Sequence, residues 1–415
     1  MRDFLPAEKA RRERILGVIR DTFRTHGFDE IETPVVEDSD RLHAGLGGDN
    51  EKLAYAVMKR ALTVDDLKSA TDPLDLADLG LRFDLTVPLA RYYATHRAEL
   101  PTVFKSIQLA PVWRAERPQK GRYRQFVQCD IDIIGEAGPI AEVELITATV
   151  AALDALGLEG CTIRVNDRRL LTSALELLGF PAKEHDPVLV TIDKLDKIGQ
   201  DGVIAELKDR GFPKEPVDAL EAFFRRPTTM EFLPFGEAGI RKFLPEGVNA
   251  VAVTELASLG EAVNAVIGQP IVQFDPWLVR GMGYYTGAIF EVAHPSVSYS
   301  LAGGGRYDGM IGRFLGTDVP AVGFSIGFER IVDLVDLSGD EGEDAVALVY
   351  DEGVEHGALM ALKTELIASG KRVRLEPTRK NLKPLLAQLA ASGFGSYAMV
   401  TGSTGALEFR PLARE

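Results

Sequence analysis

The sequence predicts an α+β protein in three parts. Strands paired through hairpins and interleaved with helices occupy 1–160 and 269–337, a mostly helical insertion occupies 161–268, and a small α/β domain occupies 344–415. Three observations carry that reading. First, the stretch at 104–135, FKSIQLAPVWRAERPQKGRYRQFVQCDIDIIG, reads as two strands around a basic loop. Its second strand alternates without a break: Val127, Cys129, Ile131 and Ile133 fall on one face, and Phe126, Gln128, Asp130 and Asp132 on the other. A period of two sends successive side chains to opposite faces of a sheet. Second, DRRLLTSALELLGF, VDALEAFFRR and the stretch 256–267 read as short helices joined by Pro/Gly loops, with no catalytic constellation among them. Third, beyond a Gly/Asp/Glu-rich linker at 338–344, the strand DAVALVY, a helix at 357–369, the strand KRVRLEP, a helix at 381–391 and the strand SYAMVTG alternate in β/α order.

The elements follow in order. Pro6–Thr25 is expected to be a helix, since Ile15, Val18, Ile19 and Phe23 form an apolar stripe at helical spacing. Pro6 suits its first turn and Gly27 its stop. FDEIETPVVE reads as a strand interrupted at Pro34, which suggests an edge, a bulge or an interface. The glycine-rich GLGGDN at 45–50 is followed by no Lys-Ser/Thr and reads as a flexible turn, not a Walker-type phosphate loop. Residues 63–79 are acidic and helical or loop-like. LRFDLTVPLARYYATH gives a strand that leads, at Pro88, into a helix. Asp84 and Thr86 share a face that suits an ammonium group, or else they cap that helix.

The central hairpin brings in Arg114 and Glu116, and Arg117, Lys120, Arg122 and Arg124 crowd its loop. Guanidinium forks suit phosphate oxygens, and the acceptors on the neighbouring strand suit an amine or imidazole. A solvated basic turn pairing with those carboxylates is an equal reading of the spacing alone. A helix follows at 140–156. VRGMGYYTGAIFEV reads as a tight Gly turn and a strand, with Tyr284 and Tyr285 facing opposite ways. SLAGGGRYDGMIGRF reads as a glycine-dense turn around Arg306 and Tyr307, where a backbone could approach a ligand closely. PAVGFSIGFERIVDLV runs from a strand into a helix whose first turns hold Arg330, a place that favours an anion.

With 415 residues, 46% hydrophobic and 26% charged, the chain has the composition of an ordinary globular protein of two or three domains. No apolar run approaches the roughly 20 residues of a membrane span. The N-terminus MRDFLPAEKARRERI lacks the apolar stretch of a signal peptide, so a cytoplasmic protein is expected. Cys129 and Cys161 are the two cysteines, with no metal-ligand spacing around them; neither a disulfide framework nor a bound structural metal is expected. The net charge of −15 argues against indiscriminate nucleic-acid binding. Basic clusters at 114–124 and 363–383 would instead direct a polyanion to particular surfaces.

Lined up, these segments resemble the class II aminoacyl-tRNA synthetases, and within them the histidyl-tRNA synthetases. TPVVE around Pro34 resembles the first motif of the class, VWRAERPQKGRYRQF the second and VGFSIGFERIV the third, while VRGMGYYTG and AGGGRYDG resemble the histidine-specific pair. The resemblance implies a class II antiparallel sheet flanked by helices, an anticodon-binding-type final domain, and a homodimer formed partly through the first motif. It implies that Arg114 and Arg330 grip ATP phosphates, with Arg122 at the terminal ones, Phe126 on adenine and Glu116 near its amino group. Asp84, Thr86 and Gln128 would hold the amino group of L-histidine, and Asp132 and Tyr285 its imidazole. Arg280 would be the catalytic arginine at the α-phosphate, with Tyr284 and Tyr307 closing the pocket. Arg117 and Gln119 would meet the acceptor end of tRNA(His), where the family typically reads an extra 5′ guanylate. Mg²⁺ would accompany ATP.

The implied reaction is attack of the histidine carboxylate on the α-phosphorus, then transfer to the tRNA ribose hydroxyl. Gly283 stands where the family's pattern carries an acid, Asp132 is one methylene shorter than the glutamate of many bacterial members, and Val127 replaces a polar or aromatic residue. The final domain is short. The competing reading is a catalytically silent paralogue that serves as regulatory subunit of ATP phosphoribosyltransferase in histidine biosynthesis. Such paralogues usually lack the last domain and some ATP-binding arginines, and this chain keeps Arg114, Arg280 and Arg330.

Overall fold

The computed structural model describes residues 1–43, 53–117, 123–225, 235–280, 283–336, 344–402 and 407–412. The turn expected at 45–50 and most of the linker at 338–344 lie outside them. Two compact units emerge: Leu16–Val335 together with Met1, and Arg2–Ile15 with Asp336–Glu415. Strands of the first unit are β1 (Asp29–Glu30), β2 (Val36–Asp38), β3 (Tyr55–Met58), β4 (Ala77–Leu81), β5 (Phe104–Trp113), β6 (Gln125–Ile134), β7 (Thr162–Asp167), β8 (Val272–Phe274), β9 (Ala288–Ala293), β10 (Ala302–Arg306) and β11 (Ala321–Gly327).

The hairpin read from the sequence is the centre of an eight-stranded sheet in the order β1-β5-β6-β11-β10-β9-β7-β8. β5 and β6 pair antiparallel from Phe104↔Ile134 to Trp113↔Gln125. Antiparallel pairing continues through β11, β10, β9 and β7, and β1 and β8 join in parallel at the two edges. Pro34 separates β1 from β2, which belongs to a second sheet, β2-β4-β3. The helix Pro6–Thr25 buries Ile15, Ile19 and Phe23 fully. Gly27 ends it at φ +85°, a conformation glycine takes at no steric cost. The helix expected from Pro88 begins two residues earlier, as Thr86–His96, and β4 ends at Leu81, so Arg82–Leu85 form a connection.

Several expectations are corrected. The glycine-dense turn is strand β10, sandwiched between β9 and β11. Its glycines are needed for strand packing: a Cβ on Gly304 would lie 2.0 Å from the Gly323 carbonyl oxygen and one on Gly305 2.6 Å from that of Ala288. The helical insertion starts one strand later than expected, because β7 pairs with β9 and β8 inside the main sheet. Its helices share one continuous core with that sheet, Leu171, Leu175, Phe180 and Leu220 clustering with Phe83, Tyr93, Ile289 and Met310. One helix, Ala250–Ile267, does reach the length and hydropathy of a short membrane span. It packs on helix Ile140–Ala155 through a face that buries Val253, Leu256 and Val263, and its Glu255 pairs with Arg169.

The second unit follows its predicted β/α alternation. β12 (Ala345–Tyr350), β13 (Arg372–Pro377), β14 (Ser396–Val400) and β15 (Arg410–Pro411) form a sheet in the order β13-β12-β14-β15. Odd residues of β12 (Ala345, Ala347, Val349) pack with Leu385 and Leu389, and even ones (Val346, Leu348) with Leu359. Burial on both faces is why the strand reads as an unbroken apolar run.

Candidate active site

The polar face of β6 is where the chemistry collects. Register places Gln128 opposite Gly327, Asp130 opposite Ser325 and Asp132 opposite Gly323 on β11. The neighbour of Asp132 must be glycine, since a Cβ there would sit 2.0 Å from the carboxylate oxygen. Over this face lies a cavity of about 210 Å³. Asp84, Thr86, Gln128 and Asp132 line it together with Tyr284, Tyr285 and Tyr307, as do Arg114, Glu116, Phe126, Arg280 and Arg330. Side chains from five separated stretches of sequence thus meet in one place. Arg117 is exposed and is not part of the lining, while Gln119 and Arg122 lie outside the described residues.

Each arginine is held by its own support. Arg114 donates from Nε to the Phe83 carbonyl at 3.0 Å, and its guanidinium sits 5.0 Å from the Phe126 ring centroid. Arg330 donates to the Ser300 carbonyl at 2.7 Å. Arg280 donates to Glu291 at 2.5 Å, and only glycine at 303 admits it, because a Cβ there would lie 2.3 Å from Nη1. Burial opposes the charge on Arg280, but Tyr285 and Glu291 outweigh it and hold the group firmly protonated.

The carboxylates are poised differently. Asp84 is 2% exposed and burial pushes it up to about 6; Asp132 is 3% exposed and burial pushes it up to about 7, against a Tyr307 hydroxyl that donates to it at 2.6 Å. Of the two roles its position suggested, Asp84 fills the helix cap and leaves one oxygen for the other. Oδ1 accepts from the Val87 N–H at 3.2 Å at the start of the helix, while Oδ2 is buried without a partner among the described residues. Gln128 Oε1 is a second buried acceptor with no donor among the described residues. Buried acceptors are nearly always satisfied, so two of them lining one cavity beside Thr86 form a site for an N–H-rich cation.

Two sequence readings change. Tyr284 and Tyr285 do not face opposite ways: they precede β9 in a turn, so no period of two applies, and their ring centroids lie 4.7 Å apart on the same cavity. Arg306 is turned away from the cavity, gripping Glu142 with two hydrogen bonds of 2.6 and 2.7 Å. Lining residues that the sequence reading left without a role include Tyr123, Asp130, Ser325 and Glu329, and Glu291 supports Arg280 without a sequence hint. Strict alternation already put Asp130 on the functional face. Ser325 needed the β6–β11 register, which a single sequence does not give.

Comparison with known proteins points the same way. The model of the family Histidyl-tRNA synthetase matches residues 1–331. The chain is 59% identical to a histidine–tRNA ligase of Leifsonia xyli over 99% of this chain and 97% of that protein. It is 43% identical to a probable histidine–tRNA ligase of Tropheryma whipplei over 96% and 93%. The crystal structure of histidyl-tRNA synthetase from Nostoc superposes with a TM-score of 0.75 at 26% identity, covering 96% of this chain and 90% of that one. An ATP phosphoribosyltransferase regulatory subunit/histidyl-tRNA synthetase from Bacillus halodurans matches with a TM-score of 0.75 over 97% of each chain, at 20% identity that speaks only to the fold. With residues of five separated stretches, four of them motif segments, gathered around one cavity and a family match across four-fifths of its length, this chain belongs to the histidyl-tRNA synthetase family.

Proposed function

We propose that this chain ligates L-histidine to tRNA(His) using ATP, through a histidyl-adenylate. The observation that carries the proposal is that Arg114, Arg280 and Arg330, from three distant segments, share one cavity with the unpartnered acceptors of Asp84 and Gln128. A regulatory paralogue has no need of that convergence.

In this reading Asp84 Oδ2, Gln128 Oε1 and Thr86 receive the ammonium group of histidine. Asp132, held by Tyr307, and Tyr285 receive the imidazole, and Tyr284 closes the apolar side. Recognition through polar partners discriminates strongly, because an amino acid lacking the ring nitrogens leaves the buried Asp132 carboxylate with the Tyr307 hydroxyl but no partner from the substrate. Phe126 and Glu116 hold adenine, and Arg114 and Arg330 hold phosphates in forked contacts. The histidine carboxylate forms a bond to the α-phosphorus as the bond to pyrophosphate breaks. Arg280, fixed by Glu291 before substrate arrives, meets the charge that builds on the α-phosphate oxygens and needs no reorganisation to do so. The 3′-terminal ribose hydroxyl of the tRNA then attacks the mixed anhydride and releases AMP. Where Mg²⁺ accompanies ATP, Glu329 is the cavity carboxylate whose hard oxygens would suit it, and the ion would supply neutralisation of phosphate charge. Arg117, which is exposed, and Gln119 are assigned to the acceptor end, and Arg122 to the terminal phosphates of ATP. The first-motif segment around Pro34 is assigned to a homodimer contact, and the enzyme to the cytoplasm.

The direct test is charging of a tRNA(His) transcript. Histidine is expected to be esterified and the other amino acids not; charging with none of them would refute the assignment. A pH dependence follows from the carboxylates. The ammonium needs Asp84 ionised and the imidazole N–H needs Asp132 ionised, so the affinity is present above about pH 7 and is lost as pH falls through about 7 and then about 6. Since each unit below a pKa removes roughly tenfold of the ionised form, KM for histidine should rise about tenfold or more between pH 7.5 and 5.5 while KM for ATP changes little. Steady-state kinetics at fixed saturating ATP reads this out, and a flat profile would contradict it.

A further inference from the structure

Asp130 lines the cavity, is 4% exposed, and has no role in the account above. Its surroundings define one. Gln128 donates from Nε2 to Ser325 Oγ at 3.0 Å and lies 3.4 and 3.5 Å from the two oxygens of Asp130. Ser325 in turn donates its hydroxyl to Asp130, its cross-strand partner on β11. On the other side of the strand pair, the Gln108 amide is directed at the Leu85 carbonyl at 3.1 Å. The donors facing Asp130 are therefore Gln128 and Ser325.

An amide has one donating and one accepting end, and turning it over exchanges them. A serine hydroxyl alone cannot choose between the two orientations, because it can donate or accept. Burial and the neighbouring Asp132 and Asp84 carboxylates push Asp130 up, while the Ser325 hydroxyl and Arg114 favour its ionised form; ionised, it can choose. Asp130 takes the Ser325 proton, which leaves Ser325 as an acceptor, and it presents a second acceptor to Gln128 directly. Both demand the NH₂ end of the amide, so Oε1 is the end left facing the cavity, where it has no partner. The reversed amide would set oxygen against carboxylate and would offer N–H to the substrate.

We propose that Asp130 is a positioning residue for amino-acid recognition: through Ser325 it locks the Gln128 amide with its oxygen outward, and so makes the site select a protonated α-amino group. The proposal rests on the assignment of Gln128 to that amino group. The test compares L-histidine with 3-(imidazol-4-yl)propanoate, which keeps the ring and carboxylate but lacks the amine, as substrate and competitive inhibitor in pyrophosphate exchange. In Asp130→Asn, a near-isosteric change that accepts either amide orientation, KM for histidine is expected to rise about tenfold to a hundredfold, the range for a hydrogen bond to a charged group. Ki of the deaminated analogue and KM of ATP should change less than about threefold. Ser325→Ala should shift histidine in the same direction by less. Gln128→Ala should match Asp130→Asn, and the double variant should be no worse than either, since the carboxylate acts through the amide. A mere charge effect of Asp130 would instead persist in the Gln128→Ala background, and additive losses would overturn the proposal, as would equal weakening of both ligands. If Gln128→Ala spares histidine, the amino-group assignment itself fails. If it weakens histidine and Asp130→Asn does not, only the positioning role fails.

Discussion

Arg280→Ala is expected to lower histidine-dependent pyrophosphate exchange by about 10²–10³-fold, the loss typical of removing one preorganised oxyanion donor. ATP binding should be largely kept, because Arg114 and Arg330, the arginines proposed for the phosphates, come from other elements and are anchored on backbone carbonyls that the change does not touch. The same variant leaves Glu291 without its closest cation. Glu291 also lies 4.0 Å from Arg164, which is itself paired with Asp275, so the orphaned carboxylate keeps a second partner. Loss of fold is therefore not expected to account for the loss of rate. Equilibrium binding of a non-hydrolysable ATP analogue, measured beside the exchange rate, separates the two effects. A variant with normal exchange would remove Arg280 from the chemistry.

Asp84→Asn should make the protein more stable and nearly inactive. The sign follows from the raised carboxyl. A folded-state pKa of about 6 above the ordinary 3.8 means that ionising Asp84 opposes folding; the penalty is absent below about pH 3.8, grows between there and 6, and is full above. About two units correspond to roughly 3 kcal/mol at neutral pH. Asparagine keeps the Oδ1 acceptor for the Val87 N–H and carries no charge to bury. The gain should approach 3 kcal/mol at pH 7.5, reduced by whatever the buried amide NH₂ forfeits, and should vanish near pH 4. Histidine affinity should fall at least tenfold, the charge-assisted hydrogen bond being lost. Urea denaturation at the two pH values measures the stability, and exchange kinetics the affinity. Equal stability of variant and wild type at pH 7.5 would show that Asp84 bears no such strain.

Much of this was legible because local periodicity and local chemistry agreed. The unbroken alternation of β6 placed Gln128, Asp130 and Asp132 on the functional face, and the stripe of Ile15, Ile19 and Phe23 fixed the first helix. The readings that failed depended on what lay across the sheet. Three glycines look like a turn until the neighbours of β10 are known, since only the crowding by β9 and β11 explains them. Thr162–Asp167 looks like the start of an insertion because its partners, β8 and β9, come more than a hundred residues later. Tyr284 and Tyr285 lie before β9 begins at Ala288, where a strand's alternation does not yet apply. Individual roles are the hardest to reach: Arg330 beside small residues fits a phosphate grip or a structural contact equally, and only its place in one cavity with Arg114 and Arg280 favours the first.

Amino-acid-dependent ATP–pyrophosphate exchange, run with each of the twenty amino acids and no tRNA, reads the central assignment without any step beyond adenylate formation. Exchange with histidine alone is the outcome that three guanidinium groups and an imidazole-sized set of acceptors predict. No exchange with histidine, or exchange of comparable rate with an amino acid lacking the ring nitrogens, would contradict it.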